Sequence, residues 1–404
     1  MPNHRAREPA CIAVLNAGSS SLKFALYNAN DRQDLLFRGQ IERIGSTPRL
    51  EVVDVDGTLV DEHQWRRGEL DHDGATREVL STVRRLLGEM PILAVGHRVV
   101  HGGMRFAEPT LVNSAILDAL DQLVPLAPLH QPHNLRPIRV IAGAAPHLPQ
   151  IVCFDTAFHR SQSLLAQSFA LPRELTEAGV RRYGFHGLSY EFIASRLREV
   201  APDLAARRLI VAHLGNGASL CAISGGRSVA STMGFTAVDG LMMGTRCGAL
   251  DPGVILYLMD QKGLSTRDVE ALLYNRSGLL GVSGISSDMR TLRASDRREA
   301  REAIDLFVYR IAREIGSLAA SLGGIDGLVF TGGIGENDAR TRAEVVSHCR
   351  WLGFDLDEKR NEAGQQLVST TQSTGAVLVI ATDEERMIAH HSMQLLGGAG
   401  AALA

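Results

Sequence analysis

Three short glycine-rich stretches stand directly behind apolar runs: Asn16-Ala-Gly-Ser-Ser-Ser21, Gly215-Asn-Gly-Ala-Ser219 and Gly332-Gly-Ile-Gly-Glu-Asn337. Glycine lets a backbone approach a ligand closely, and in such stretches backbone N–H groups and small hydroxyls can solvate phosphate oxygens. None is a Walker loop, because no Gly-Lys-Ser/Thr closes a G-x-x-x-x-G spacing, and the hairpins around two of them argue against a dinucleotide fingerprint. Cationic groups recur in a similar setting. Arg98 stands in Gly96-His-Arg-Val-Val-His-Gly-Gly103, His186 in Tyr183-Gly-Phe-His-Gly187 and Arg246 in Gly244-Thr-Arg-Cys-Gly248. An arginine in a buried or glycine-flanked segment is costly unless an anion meets it. Two such arginines and a histidine suit a site that neutralises a phosphoryl group in transfer. Carboxylates are sparse beside them: Asp155 closes the apolar run Gln150–Phe154, and Glu384 with Glu385 follows Ala376–Ile380. One or two carboxylates, with waters and substrate phosphates, are what Mg²⁺ requires of a protein in such chemistry. Asp383 or Glu385 equally suits a cap for the helix that follows, and spacing does not separate these roles.

Strands and helices must hold these groups. Cys11–Leu15 and Leu22–Tyr27 read as strands joined by the Gly/Ser turn, a β-hairpin; Arg208–Leu214 and Ala218–Ile223 repeat the pattern. The rhyme between the hairpins points to two domains of similar topology. Gly39 to Trp65 reads as a meander, Thr76–Leu87 as an amphipathic helix, and Ile92–Val100 and Gln150–Phe154 as buried strands. Ser189 can N-cap a helix whose apolar face is Phe192, Ile193, Leu197 and Val200. The clearest helix is Ala303–Leu322, where Ile304, Phe307, Val308, Ile311, Ile315, Leu318 and Leu322 recur at three- and four-residue spacing until Gly323-Gly324. Gly327–Phe330 and Ala376–Ile380 complete the strands. Polar or glycine-rich residues at strand ends predict an α/β site where loops gather at one end of the sheets.

The 404 residues suit two domains, or three small ones. With 42 Lys+Arg against 45 Asp+Glu, the chain lacks the basic surplus of a nucleic-acid binder. Its five cysteines are an odd number, far apart and without a C-x-x-C pair, which fits a reducing cytoplasm better than a disulfide framework or a zinc site. No stretch approaches the ~20 apolar residues of a membrane span. Residues 1–10 are polar and charged and are read as a disordered tail.

Seven segments in order resemble the acetate kinase family of short-chain carboxylate kinases. They are Asn16 to Lys23, Gly96 to Gly103, Phe154-Asp-Thr-Ala-Phe-His159, Tyr183 to Gly187, His213-Leu-Gly-Asn-Gly217, Met243 to Gly248 and Gly333-Ile-Gly-Glu-Asn337. The resemblance implies an α/β chain of the sugar kinase/Hsp70/actin superfamily, with two similar βββαβαβα domains around an ATP cleft. On that basis the N-terminal domain is expected over 11–155 with a returning segment 388–404, and the nucleotide-binding domain over 156–387. The implied activity is reversible transfer of the ATP γ-phosphoryl group to acetate by direct in-line displacement, giving acetyl phosphate and ADP. The implied catalytic residues are Asp155, His186, Arg246 and Arg98, with Arg98, Val100, Leu129, His130, Phe185 and Ala237 around the carboxylic acid. ATP would meet Ser19, Ser21, Lys23, His213, Leu214, Gly215, Asn216 and Gly217, and beyond them Asp288, Met289, Arg290, Gly333, Ile334, Gly335, Glu336 and Asn337. Asn16 and Glu384 would help place Mg²⁺, or Mn²⁺ in its stead. A homodimer, closure over ATP, and no nucleic-acid or membrane partner complete the expectation.

An ionised carboxylate can attack phosphorus directly, so the protein needs no strong base, only alignment of two anions and neutralisation of charge. Ala237 stands where the family commonly has proline in the methyl pocket, which predicts more room for propionate. An extra methylene is worth only ~1–3 kcal/mol of discrimination, so a propionate or broader short-chain kinase is the neighbouring reading. A non-catalytic ATP-binding switch is the rival from another class. It has no use for Arg98, His186 and Arg246 together.

Overall fold

A computed structural model describes residues 9–30 and 33–402. Residues 1–8 of the expected tail lie outside that range. The chain divides into two compact units, Met1–Ala157 with Asp383–Ala404, and Phe158–Thr382. The divisions expected from the resemblance were 155/156 and 387/388. The return begins earlier because Glu384–Ala402 is one unbroken helix.

In the first unit the strands are β1 (Cys11–Ala17), β2 (Leu22–Asn28), β3 (Leu35–Glu42), β4 (Arg49–Asp54), β5 (Leu59–Gln64), β6 (Ile92–Val99), β7 (Thr110–Leu111) and β8 (Gln150–Phe154). They form one sheet in the order β5-β4-β3-β2-β1-β6-β8-β7. The predicted hairpin and meander are its antiparallel half, and β6 and β8 continue it in parallel from β1. The helix expected at Thr76 begins at His72, because Asp71 accepts a bond from the Gly74 N–H and caps it one turn earlier. The returning helix packs on β1, β2, β6 and β8. Gly96 of β6 permits this, since a Cβ there would stand 2.5 Å from Ile388 and 2.8 Å from the Ser392 hydroxyl.

The second unit holds β9 (Arg208–Leu214), β10 (Ala218–Ser224), β11 (Arg227–Ser231), β12 (Gly327–Thr331) and β13 (Ala376–Val379), in the order β11-β10-β9-β12-β13. Both sheets share a core pattern. A three-strand antiparallel meander, β1-β2-β3 or β9-β10-β11, is extended from its first strand by two parallel ones, β6-β8 or β12-β13. The repeat hinted at by the two hairpins is therefore a repeat of a five-stranded core. β12 is buried at every residue, as a parallel central strand covered on both faces requires. On one face Leu209, Val211, Cys221, Ile223, Val329 and Leu378 pack with Tyr190, Ile193 and Leu197 of the helix Gly187–Val200. The helix Arg298–Leu322 packs on β9, β10 and β11 with its apolar stripe buried, and ends at Gly323 in the left-handed conformation, φ 67°.

Two expectations change. Ser189 lies inside its helix, with His186 at the N-cap position, because the Ser189 hydroxyl is engaged by His213 and Thr382 instead. The third glycine-rich stretch is a short helix, Gly332–Asn337, entered at Gly332 with φ 76°. Glu336 holds it there, its Oε1 accepting from the N–H groups of Gly332 and Thr382.

Candidate active site

The first unit gathers its charged candidates around one guanidinium. Arg98 projects from β6 and grips Asp155, which β8 delivers at its end: Nε donates to Oδ1 at 3.0 Å and Nη2 to Oδ2 at 2.5 Å. The fork-to-fork geometry is the strong form of an arginine–carboxylate pair. Asp155 is almost fully buried, and its N–H donates to the Val99 carbonyl. Arg98 also reaches the Asn16 Oδ1 at 3.4 Å and lies 3.5 Å from Glu384. Burial works against the charge of Arg98, but Asp155 and Glu384 outweigh it and the guanidinium is held more firmly protonated. For Glu384 burial dominates and the carboxyl is pushed up, with Arg98 and Lys23 pulling the other way. Lys23 is the cross-strand partner of Asn16 in the β1–β2 hairpin. Ser19 and Ser21 border the turn of that hairpin, and the Ser19 carbonyl lies 2.8 Å from His72 Nε2.

Among the described residues no group of three or more His, Cys, Asp or Glu is placed to hold a metal ion. Asn16 and Glu384 nevertheless offer two hard oxygen donors on the same guanidinium. That sparse set fits Mg²⁺, which keeps waters and takes substrate phosphates as ligands. Asp383, the other carboxylate in question, caps the returning helix through the Arg386 N–H at 3.0 Å and accepts from the Tyr27 hydroxyl at 2.9 Å. Val100 and Leu129 belong to this unit, as does His130 at the N-cap position of the helix Gln131–Ala144. The Val100 N–H donates to Asn134 Oδ1 at 3.0 Å.

The second unit carries His186 and Arg246. His186 has φ 57° and ψ 26°, a left-handed conformation uncommon outside glycine, at the entry to its helix. Its Nδ1 lies 2.8 Å from the Ser219 hydroxyl, and its ring stacks on His213 with centroids 4.3 Å apart. Arg246 Nη1 donates to the Ala237 carbonyl at 2.6 Å. Gly217, in the β9–β10 turn, shows where these groups aim. A Cβ built there would stand 3.2 Å from His186 Nε2 and 3.3 Å from Arg246 Nη2. An imidazole nitrogen and a guanidinium nitrogen therefore converge on one point above the hairpin. Phe185 is buried, its carbonyl 2.9 Å from His159 Nε2, and Ala237 is half-buried.

The same hairpin borders a pocket of about 1050 Å³ lined by Gly215, Asn216, Asp288, Met289, Gly333 and Asn337, with Arg290 and Ile334 also on its wall. Nucleotide candidates from three distant stretches thus meet in one place. His213, Leu214, Gly217, Gly335 and Glu336 are not on that wall. Leu214 is buried and Glu336 is engaged in clamping its own segment. Sequence reading missed Ser287, Arg293, Ala294, Asp338, Ala339 and Arg340, which also line the pocket. Arg293 is tied to Asp338 and Glu344 there. The available signal was position: Asp338 to Arg340 directly follow Gly333–Asn337.

The acetokinase family model matches residues 11–390. A protein of Rhodopseudomonas palustris named acetate kinase is 53% identical over 96% of this chain and 98% of its own. One of Methylocella silvestris with the same name is 50% identical over 97% and 99%. Among solved structures, Porphyromonas gingivalis acetate kinase superposes with a TM-score of 0.85 at 37% identity, covering 96% of this chain and all of that one. A propionate kinase of Francisella tularensis gives 0.87 at 36% identity, covering 95% and 98%.

Proposed function

The chain belongs to the acetokinase family, and from that membership we propose that it reversibly transfers the γ-phosphoryl group of ATP to acetate, giving acetyl phosphate and ADP. It is a phosphotransferase with a carboxyl group as acceptor, built on the two-domain α/β fold of the sugar kinase and actin type. The observation that carries the chemistry is the convergence of His186 Nε2 and Arg246 Nη2 over Gly217, in the hairpin whose Gly215 and Asn216 border a nucleotide-sized pocket.

The acceptor needs no activation, because a carboxylate is ionised at neutral pH. One of its oxygens forms the new bond to the γ-phosphorus, and the bond from phosphorus to the β–γ bridging oxygen breaks, leaving ADP. What remains for the protein is alignment and charge neutralisation. His186 and Arg246 donate to the oxygens of the group in flight. Arg98 binds the anionic acceptor with the part of its guanidinium that Asp155 does not hold, and Asp155 sets its orientation. This makes Asp155 a positioning residue with no proton to accept. Asn16 and Glu384 would hold Mg²⁺, or Mn²⁺, together with the nucleotide. When bound, the ion neutralises phosphate charge and draws electrons from the leaving oxygen. Asp288, Met289 and the Gly333–Asn337 segment take the adenosine, and the candidates for the acyl methyl are Val100, Leu129 and His130 in the first unit and Phe185 and Ala237 in the second.

The partner is a second copy of the chain. Support comes from the helix Pro252–Asp260, which buries none of its residues in its own unit and exposes Val254, Leu256, Tyr257 and Met259. No described helix is long and apolar enough to cross a membrane, and all five cysteines are free thiols, which supports a cytoplasmic location.

Hydroxylamine trapping of acyl phosphate tests the activity, with MgATP and acetate, propionate or butyrate in turn, and with chelator added. Acetate is expected to give the highest kcat/KM, and chelation to abolish turnover. Higher kcat/KM for propionate would move the chain to the neighbouring kinase and make the space at Ala237 the reason. Nucleotide binding without acyl phosphate from any acid would overturn the proposal.

A further inference from the structure

We propose that Tyr190 and Ser219 form a hydroxyl relay that holds neutral His186 as its Nε2–H tautomer, aiming a ready-made donor at the phosphoryl group. Tyr190 does not stand out in the sequence, Ser219 does so only as the end of a glycine-rich stretch, and the atoms nearest a Gly217 Cβ belong to His186 and Arg246 instead. Their role would be positioning.

The geometry is short and buried. Ser219, on β10, is fully buried, and its Oγ lies 2.8 Å from His186 Nδ1. The phenol of Tyr190, one turn into the helix that His186 opens, is also fully buried and stands 2.5 Å from the same Oγ. A serine hydroxyl has one hydrogen to give and can accept as well. The phenol is the more acidic of the two hydroxyls, so it donates to Ser219, and Ser219 gives its own hydrogen to the Nδ1 lone pair. The imidazole hydrogen then resides on Nε2. With the opposite tautomer Ser219 Oγ would accept from both Nδ1–H and the phenol, leaving its own buried hydrogen out of both bonds, or the aliphatic hydroxyl would donate to the phenol, the weaker direction.

The consequence falls at the converging point. Nε2 and Arg246 Nη2 both approach the place a Gly217 Cβ would occupy, at 3.2 and 3.3 Å. A tautomer with a bare Nε2 would turn a lone pair toward phosphate oxygens, and the fixed Nε2–H turns a dipole of the right sign. The left-handed backbone of His186 is strained, and its anchorage at Nδ1 helps keep the ring from swinging out of this entry. The stacked neighbour has the same construction. His213 Nδ1 lies 2.8 Å from the Ser189 hydroxyl, which accepts from Thr382 Oγ1 at 2.9 Å.

The kinetic part of this inference rests on the phosphoryl-transfer reading; the tautomer part does not. Long-range ¹⁵N–¹H imidazole spectra of the full-length protein at about pH 8, above the ordinary histidine range, read the tautomer directly. The His186 signals are assigned by their loss in His186→Asn. Wild type is expected to show a protonated Nε2 and an unprotonated Nδ1. Tyr190→Phe, which removes only the hydroxyl, and Ser219→Ala are each expected to give mixed tautomers. Their kcat should fall on the order of 10- to 100-fold, with KM for ATP changed by about twofold or less. An Nδ1–H ring in wild type, or an unmixed Nε2–H ring in both variants, would overturn the relay. Mixed tautomers at unchanged kcat would overturn its part in the reaction. A wild type that makes no acyl phosphate would refute the preceding reading instead, and the spectra would still decide the tautomer.

Discussion

Arg98 carries more of the proposed chemistry than any other single side chain. It pairs in a fork with Asp155 and touches Asn16 and Glu384, and the two carboxylates reinforce its charge against partial burial. A lysine has the charge without the planar fork, so Arg98→Lys cannot hold Asp155 and an acceptor carboxylate at once. Its kcat/KM for acetate is expected to fall on the order of 100-fold, while the isolated nucleotide affinity stays within a few-fold. Steady-state kinetics with a separate ADP-binding titration check this, and an unimpaired Arg98→Lys would remove Arg98 from acceptor binding. Asp155→Asn breaks the fork pair and leaves only Glu384 as counter-charge, and is expected to cost about 3 kcal/mol of stability, read from urea unfolding. These residues were individually visible in the sequence through their glycine-flanked or strand-end positions. Tyr190 was not, because a tyrosine on an apolar helix face looks like an ordinary core residue, and Ser219 was legible only as part of a glycine-rich stretch, not as a partner of His186.

At the scale of elements, most strands and helices were legible because their signals are local. β1 and β2 declared a hairpin, β12 an unbroken apolar run, and the helix Arg298–Leu322 a stripe at three- and four-residue spacing. The misreadings arose where a distant partner competed for a local signal. Ser189 has the right chemistry for an N-cap, yet His213 and Thr382 take its hydroxyl. Gly332–Asn337 has the composition of a turn, yet Glu336 clamps it into a helix from within and ties it to Thr382. The helix Pro252–Asp260 buries none of its residues in its own unit, with Leu256 62% and Tyr257 51% exposed. Light scattering is expected to give the mass of two chains for the wild type and of one for Leu256→Glu with Tyr257→Glu. Because both side chains are already exposed, the circular dichroism of the double variant should be unchanged. A wild type of single-chain mass would end the dimer proposal.

Over the whole molecule, each unit contains a buried histidine whose environment keeps it neutral. His97 lies beside Gln150 at 2.9 Å in the first unit, and His159 beside the Phe185 carbonyl and Ser228 hydroxyl in the second. Burial pushes each down to about 4. Between that value and the ordinary 6.5 the unfolded chain binds protons that the native chain does not, so stability rises with pH through this window and is complete above it. The urea midpoint is therefore expected to drop on acidification from about pH 7 to pH 5, for both units. A midpoint that holds or rises would mean these rings are protonated in the native state.

Periodicity, glycine placement and strand-end polarity were enough to fix from the sequence what lies along the chain: which segments are strands, where backbone bends, and which residues suit phosphate chemistry. The order of motifs added the family and its fold. What lies across the chain needed tertiary structure. Asn16, Arg98, Asp155 and Glu384 come together because β1, β6 and β8 are neighbours and the final helix returns to them, although Asn16 and Arg98 are 82 positions apart. The pocket joins Gly215, Asp288 and Gly333 for the same reason. Local preferences act over a few residues, whereas sheet order and the partner of each hydroxyl are settled by burying apolar faces and satisfying polar groups over the whole unit at once.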